Sequence, residues 1–285
     1  MKLINDKHIL IVGLGLLGGS YAMALKRKGY YVSAITLEQE SINYALENDI
    51  IDYGTTEVSP ELISKADIVV FALYPHVFLE WIGENQKHLK SGAIITDVTG
   101  VKAPIVYDIQ ASLRPDIEFI AAHPMAGKEV YGVKNSDDAI FHQANYIVVP
   151  TDKNTPEAIE LCVSLGRILG FKTVSVLSPE EHDRMIAFLS QLTHCIAVSL
   201  MCSNDNPELV KFTGDSFRDL TRIARINENM WSELFLLNKE PLLRSMDDFL
   251  ESFLKLKECI EKENINEMKQ MMRISTERRA LFDKK

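Results

Sequence analysis

The stretch HILIVGLGLLGGS, at residues 8–20, decides the fold of the first half of the chain. Its apolar start predicts a buried strand, and the pattern GLGLLG at residues 13–18 follows without a break. A GxGxxG motif that ends a strand and begins a helix is typical of dinucleotide-binding βαβ units. The glycines permit a tight turn, a close approach of pyrophosphate and close helix–strand packing, while the helix N-terminus attracts phosphate. We therefore expect five residues of this turn to contact a dinucleotide: Gly13, Gly15, Leu16, Leu17 and Gly18.

The first half continues as an alternation of apolar runs and amphipathic stretches. Further strand-like runs occupy residues 31–36, 67–73, 93–98, 118–122, 146–150 and 173–177. Several are nearly continuous in Val, Ile and Leu, as expected for strands buried on both faces of a parallel sheet. Helical patterns lie between them, for example at residues 20–28, 41–48 and 156–169. The alternation predicts an α/β fold, with a doubly wound Rossmann-type domain over residues 1–177.

The pattern changes at Ser178. Ser178-Pro179-Glu180-Glu181 predicts a capping box with proline at the first helical position. Residues 185–201 are apolar around nearly the whole helix circumference, so other helices or a second subunit must bury them. From Leu242 to Ile260 apolar residues recur at spacings of three and four, as in a coiled-coil seam. Residues 178–285 are therefore predicted to form an all-helical domain that makes a homodimer.

Composition excludes several classes of protein. A chain of 285 residues with 46% apolar and 25% charged residues is expected to form roughly two globular domains. The net charge of −9 disfavours a nucleic-acid surface. No window is expected to reach the ~18 uncharged apolar residues of a membrane span, and the N-terminus does not resemble a signal peptide. We predict a cytoplasmic protein without membrane contact or a metal site, and with free, buried thiols at four positions: Cys162, Cys195, Cys202 and Cys259.

The second strand bears on the choice of dinucleotide. Thr36 lies where an acidic residue normally binds the adenosine ribose, and Glu38 follows two residues later. No Arg or Lys is adjacent to hold a 2′-phosphate. The pattern favours NAD and leaves NADP open. We also expect Leu73 and Asp97, at the ends of two further strands, to lie beside the cofactor.

Three polar side chains stand out as candidates for chemistry. His123 follows an apolar strand, and ligands bind at the carboxyl ends of strands in such a sheet; Pro124 and Gly127 restrain its loop. His194 lies among apolar neighbours in a helix, where a hydrogen-bonded core histidine is the commoner case. Arg222 carries a planar fork suited to a carboxylate, and an internal ion pair with Asp219 is the alternative.

Together these motifs resemble the prephenate/arogenate (cyclohexadienyl) dehydrogenase family of tyrosine biosynthesis. The matching segments, in the family's order, are GLGLLGGS at 13–20, DVTGVK at 97–102, HPMAG at 123–127, SPEEHD at 178–183, SQLTH at 190–194 and FRDLTRIA at 217–224, followed by Trp231. The resemblance covers residues from about 8 to 280. It implies NAD or NADP binding in the N-terminal domain, dimerisation through the helical domain, and a substrate in the cleft between them.

The resemblance also implies residue roles. By motif, His123 contacts the substrate hydroxyl, His194 lines the pocket and Arg222 binds a substrate carboxylate. Gly127 and Glu129 are expected in the same substrate site. Family members often have serine where alignment places Gly100, so the neighbouring Thr99 is expected to supply a substitute catalytic hydroxyl. They also often have histidine in place of Gln191.

The implied reaction is the oxidative decarboxylation of prephenate to 4-hydroxyphenylpyruvate. Hydride leaves C4 for the nicotinamide, the hydroxyl proton passes to His123, and carbon dioxide departs as the ring aromatises. A histidine with a pKa near 6.5 suits this proton transfer. An ion pair with the leaving carboxylate would oppose its loss, so we assign Arg222 to the side-chain carboxylate.

Three alternatives remain open. The nearest is an arogenate dehydrogenase, in which Glu129 or Asp215 favours the substrate ammonium group. Another is a two-domain dehydrogenase of β-hydroxy acids, but those use a catalytic lysine on the interdomain helix, and no lysine lies between Lys172 and Lys211. The third is a non-catalytic dinucleotide sensor, which would need neither His123 nor Arg222.

Overall fold

The computed structural model describes residues 7–283. Its main sheet is built from β1 (His8–Val12), β2 (Tyr31–Ile35), β3 (Tyr53–Thr55), β4 (Ile68–Phe71), β5 (Ile94–Asp97) and β6 (Glu118–Phe119). The strands lie in the order β3-β2-β1-β4-β5-β6, and each neighbouring pair is parallel. This is the Rossmann order, and it confirms the predicted fold class.

Helices cover both faces of the main sheet because successive strand residues point to opposite sides. In β1, Ile9 and Ile11 join one buried core, whereas Leu10 and Val12 join the other. The helices of this part are α1 (Leu16–Arg27), α2 (Gln39–Glu47), α3 (Pro60–Ile63), α4 (Pro75–Asn85), α5 (Ala103–Ser112) and α6 (Pro156–Ile168). Buried side chains of α1 and α6 pack in the first core, and those of α4 and α5 pack in the second.

A second, smaller sheet contains β7 (Ala121–Pro124), β8 (Asn145–Val149) and β9 (Thr173–Val176). β7 runs antiparallel to β8, and β9 runs parallel to it. The single strand predicted at residues 118–122 is therefore wrong, because the chain leaves the main sheet at Ile120 and begins the second sheet at once. His123 consequently lies within β7 rather than in a loop. The sequence also missed β3, which is three residues long and carries no apolar run.

The second half is helical, as predicted. It contains α7 (Pro179–Ile186), a π-helical turn (Ala187–Leu192), α8 (Thr193–Cys202), α9 (Asp215–Thr221), α10 (Glu228–Leu237), α11 (Lys239–Glu261) and α12 (Ile265–Ala280). The capping box is confirmed, because the Glu181 amide donates to Ser178 Oγ at 3.3 Å and the Ser178 amide donates to Glu181 Oε2 at 3.1 Å. Between β9 and residue 283 the structure has no further strand.

Much apolar surface of the helical half is exposed. Phe188 is 59% exposed in the π-helical turn, and Phe253 and Ile260 are exposed on α11. The continuous helix from Pro179 to Cys202 is long and apolar enough to cross a membrane by length and composition, although one such helix is weak evidence of a span. The expectation that no window approaches this composition is therefore wrong, because the polar residues of 185–202 are all uncharged except for the titratable His194.

The four cysteines are free, but Cys202 is exposed and Cys195 is half-buried, so the prediction of four buried thiols holds only for Cys162 and Cys259.

Candidate active site

The glycine turn has the shape that a pyrophosphate requires. Gly13 has a φ of +96°, and a Cβ there would overlap the carbonyl oxygen of Ala72. A Cβ on Gly18 would overlap the carbonyl oxygen of Gly13. Around Gly15, by contrast, a Cβ would meet no heavy atom within 4 Å, and no side chain caps α1, which starts at the next residue. Open space beside uncapped helix amides fits a bound phosphate group.

The other expected cofactor residues lie near this turn, with one exception. Leu73 touches the turn, since its Cδ2 is 2.9 Å from the position of a Cβ on Gly13. Thr36 is half-buried at the end of β2, and its amide donates to the Thr55 carbonyl at 3.2 Å. The exposed carboxylate of Glu38 accepts a hydrogen bond from Ser41 Oγ at 2.9 Å. These three side chains follow the ends of strands on the cofactor side of the sheet.

Asp97 is the exception, because its carboxylate is used inside the protein. Asp97 and Lys102 are both 0% exposed, and Lys102 Nζ lies 2.6 Å from Asp97 Oδ2. The Ala122 amide donates to the other carboxylate oxygen at 3.1 Å. Burial lowers the pKa of the Lys102 ammonium, and Asp97 acts against that shift. The pair links the loop after β5 to β7, so Asp97 holds these segments together and does not itself line the site.

Thr99 belongs to this buried cluster as well. Its hydroxyl contacts the Asp97 carboxylate and accepts a hydrogen bond from Lys102 Nζ at 3.1 Å. Position 100 is the one that approaches His123, because a Cβ on Gly100 would lie 4.0 Å from His123 Nε2. The geometry therefore differs from the expectation that Thr99 supplies a catalytic hydroxyl.

His123 is the first member of a chain of three polar side chains. Its Nδ1 lies 2.8 Å from Nε2 of His182, and Nδ1 of His182 lies 2.7 Å from Oδ1 of Asp183. His182 and Asp183 are buried. Burial lowers the pKa of His123 well below 6.5, and its electrostatic interactions with His182 and Lys102 act in the same direction. A neutral imidazole can accept a proton, which is the chemistry that this geometry supports.

The hydrogen bonds of Asp183, the last of these three side chains, join the two halves of the protein. The Asp183 carboxylate accepts hydrogen bonds from the amides of Lys102 and Ala103, at 2.9 and 2.8 Å, where α5 begins. Sequence reasoning did not assign roles to His182 and Asp183. The signal was present in the SPEEHD motif, where two adjacent polar residues follow a capping box on the first helix of the second half.

His194 lies on the helical side of the site. Its Nδ1–H donates to the Ser190 carbonyl at 2.8 Å, and its ring stacks on Trp231 with centroids 3.7 Å apart. Burial lowers the pKa of His194, while Glu129 and Arg222 are near enough to act on it in opposite directions. His194 is thus a hydrogen-bonded histidine, as the simpler interpretation predicted, and it also stands beside the charged pair of the site.

Arg222 pairs with Glu129, across the boundary between the two halves. Its Nη1 contacts the Glu129 carboxylate, and the two side chains are 63% and 36% exposed. The alternative internal pair with Asp219 is not formed. Gly127, two residues before Glu129, is exposed and has open space around it. Asp215 is 89% exposed and is bound to Arg218 at 2.5 Å.

A second carboxylate of the helical half reaches a helix start of the sheet domain. Glu233 on α10 accepts from the backbone amide and from Nδ1–H of His76, both at 2.8 Å, in the first turn of α4. Deeper inside, Asn238 Nδ2 donates to the Asp183 carbonyl at 2.9 Å and to Gln191 Oε1 at 2.7 Å. Gln191 is therefore a buried structural residue in this chain.

Among residues 7–283, no group of three or more His, Cys, Asp or Glu side chains could hold a metal ion. The titratable side chains of the site are instead bound to one another and to backbone amides, as described above.

Comparisons with known proteins agree with this fold. Residues 21–175 match the family model described as prephenate dehydrogenase, nucleotide-binding domain. Residues 178–274 match the model described as prephenate dehydrogenase, dimerization domain. The prephenate dehydrogenase of Bacillus subtilis is 30% identical over 265 residues, which are 90% of this chain and 71% of that protein.

Two solved structures share the whole architecture. Prephenate dehydrogenase from Aquifex aeolicus, in complex with hydroxyphenyl propionate and NAD+, has a TM-score of 0.90 and 32% identity over 99% of this chain and 100% of that one. Synechocystis arogenate dehydrogenase has a TM-score of 0.82 and 25% identity over 97% and 100%. Because both family models match in order and together span most of the chain, the protein belongs to the prephenate dehydrogenase family.

Proposed function

We propose that the protein catalyses the NAD-dependent oxidative decarboxylation of prephenate to 4-hydroxyphenylpyruvate, a step of tyrosine biosynthesis. The observation that carries the proposal is the placement of His123, whose Nδ1 is bound by His182 while Nε2 faces the loop at Gly100. Such a group accepts the proton of a substrate hydroxyl. The relatives named prephenate dehydrogenase support the choice of substrate.

The chain has two main tasks in this reaction. Bound NAD would accept the hydride from C4 of the ring, and aromatisation would make the decarboxylation favourable. The protein has to align the substrate and take up one proton. The glycine turn at residues 13–18 would hold the pyrophosphate against the start of α1. Thr36 and Glu38 would face the adenosine ribose, where the Glu38 carboxylate repels a 2′-phosphate and so favours NAD over NADP.

Arg222 is the proposed partner of the substrate side-chain carboxylate. It is paired with Glu129, so substrate binding would exchange one carboxylate for another. His194 and Gly127 would line the same pocket. Thr99 would act indirectly, through the loop that places Gly100 opposite His123.

Arogenate is the second candidate substrate, and the Arg222–Glu129 pair is the observation in its favour. Arogenate carries both a carboxylate and an ammonium on its side chain. Arg222 and Glu129 together offer one partner for each, without the need to separate the two residues.

We also propose that the protein is a cytoplasmic homodimer formed through the helical half. A second subunit would cover the exposed apolar side chains around Phe188 and Phe253, and it would explain the long apolar helix without a membrane. Free thiols are typical of a reducing compartment.

The test is a two-by-two assay in which purified protein receives NAD or NADP with prephenate or arogenate, and reduced nicotinamide is followed by absorbance. We expect the highest kcat/KM with NAD and prephenate. A higher value with arogenate would favour the second candidate. No reduction in any of the four mixtures would contradict the proposed function.

A further inference from the structure

We propose that His182 and Asp183 are positioning residues that fix the tautomer of His123, so that its Nε2 carries the lone pair that receives the substrate proton. This inference rests on the proposed function only in the identity of that proton. The geometry of the three side chains carries it. The direction of each hydrogen bond can be worked out from the buried end outwards.

Asp183 determines the first direction. Its carboxylate is surrounded by donors, because the Lys102 amide bonds Oδ1 and the Ala103 amide bonds Oδ2. These two amide hydrogen bonds favour the carboxylate form of Asp183, which can only accept. The Nδ1 atom of His182, 2.7 Å from Oδ1, is therefore the donor.

The second direction follows from the first. A neutral imidazole has one N–H and one lone pair. With the proton on Nδ1, His182 presents the lone pair of Nε2 to His123, so Nδ1 of His123 must be the donor across 2.8 Å. The lone pair of His123 is then on Nε2, the atom that faces Gly100.

This arrangement reverses the ordinary preference of histidine. In water the neutral ring favours the tautomer with the proton on Nε2, which could donate to the substrate hydroxyl but not accept its proton. The hydrogen bond at the other nitrogen decides which tautomer is present. Because His182 and Asp183 are buried, water cannot replace either partner.

The charges around the chain keep it in this state. Protonation of His182 would place an N–H on each of its nitrogens. Nδ1 of His123 would then have to accept, its proton would move to Nε2, and Nε2 could no longer accept the substrate proton. Burial and Lys102 oppose this protonation, while Asp183 and Asp97 favour it, and burial has the largest effect. After proton transfer, the charged His123 can still donate through Nδ1 to His182, so the arrangement persists through the reaction.

The direct test measures the tautomer instead of the activity. Long-range ¹⁵N–¹H NMR spectra of the protein with ¹⁵N-labelled histidine distinguish protonated from unprotonated ring nitrogens. His123→Asn identifies the His123 signals by their absence. We expect the wild-type protein to show His123 protonated at Nδ1 and unprotonated at Nε2. A wild-type His123 that carries its proton on Nε2 would overturn the inference.

Asp183→Asn supplies the perturbation. Its amide can donate to His182 Nδ1, which would reverse both hydrogen bonds and move the His123 proton to Nε2. We expect this shift in the NMR spectrum and a fall in kcat of about 10²–10⁴-fold, with a smaller change in KM. Asp138→Asn is the matched control, since Asp138 is also a buried carboxylate but binds Arg27 at 2.9 Å. It should leave the tautomer and kcat unchanged.

A pair of variants at His182 covers the case in which Asp183→Asn does not fold. His182→Gln keeps a carbonyl oxygen that can accept from His123 Nδ1, whereas His182→Leu fills the space without an acceptor. We expect kcat at least tenfold higher for His182→Gln than for His182→Leu. Equal rates would contradict a positioning role. Loss of activity in His123→Asn, together with a wild-type His123 that is protonated at Nε2, would support the proposed function and reject this inference.

Discussion

At the scale of single residues, His123 is subject to two separate influences. Burial and neighbouring positive charge remove its own charge, and His182 occupies its Nδ1 atom. The first influence makes the ring a base at neutral pH, and the second decides which nitrogen acts.

We expect His123→Asn to lower kcat by about 10²–10⁴-fold, because asparagine keeps a hydrogen-bonding group but cannot take up a proton. NAD affinity, measured by calorimetry, should be nearly unchanged. The wild-type rate should rise with pH through the pKa of His123, which lies well below 6.5, and should be flat near neutrality. The variant should lose the acidic limb. A wild-type limb centred above 6.5 would contradict the lowered pKa.

The same pKa shifts make stability depend on pH. His123, His182 and His194 all have a lowered pKa in the folded protein, so below 6.5 the unfolded chain binds more protons than the folded one. The free energy of unfolding should therefore rise with pH up to about 6.5 and fall as the solution is acidified below it. Urea denaturation at a series of pH values measures this. In His182→Gln the slope should be smaller.

Arg222 and Glu129 give a prediction about substrate binding. Arg222→Ala should raise KM strongly and reduce kcat less, because a carboxylate contact serves the ground and transition states alike. A loss of about 1.5–3 kcal/mol in kcat/KM is expected for a hydrogen bond to a charged group. Glu129→Gln should lower KM for prephenate, since Arg222 no longer has a competing partner. An unchanged KM in Arg222→Ala would contradict substrate binding by Arg222 and would leave it only as the partner of Glu129.

Single residues of the site were only partly predictable from the sequence. His123 and Arg222 were identified by their motifs, but a motif does not reveal which partner occupies a side chain. Asp97 and Thr99 follow a strand end as cofactor ligands do, yet both bind Lys102, a residue that must be neutralised because it is fully buried. His182 was overlooked because its role depends on a contact 59 residues away along the chain.

At the scale of elements, α7 matters more than its eight residues suggest. It begins the helical half, yet its buried face carries His182 and Asp183 towards β7 and α5. Most strands and helices could be predicted from apolar periodicity. Among the strands, the exceptions were β3, which is half exposed, and the break at Ile120, where two strands of different sheets follow each other within one apolar run.

We expect Ser178→Ala to lower the free energy of unfolding by about 1 kcal/mol, because it removes the N-cap of α7. Urea denaturation gives the value. Ser203→Ala, at the exposed end of α8, is the control and should change stability by less than about 0.5 kcal/mol. If both variants lower the free energy of unfolding by the same small amount, the capping box does not stabilise the start of α7.

At the scale of the whole molecule, the exposed apolar surface of the helical half predicts a dimer. Sedimentation at micromolar concentration should give twice the chain mass. Phe188→Asp should shift the protein towards monomer without unfolding it, because Phe188 is exposed in a single chain. Leu46→Asp, a comparable change on α2 of the sheet domain, should remain dimeric. A monomeric wild-type protein would contradict the prediction.

The helical half places two carboxylates on the starts of helices in the sheet domain. These contacts affect whether the two halves could be exchanged separately by recombination. Asp183 binds the start of α5, and Glu233 binds the first turn of α4. A recombination event near residue 178 that joined this sheet domain to a foreign helical domain would have to bring both acidic residues, and His182, with it. Without them the hybrid would keep His123 but lose the partner that orients it. The two halves are therefore expected to have been transmitted together, and a hybrid should keep its activity only where the helical half supplies His182 and both carboxylates.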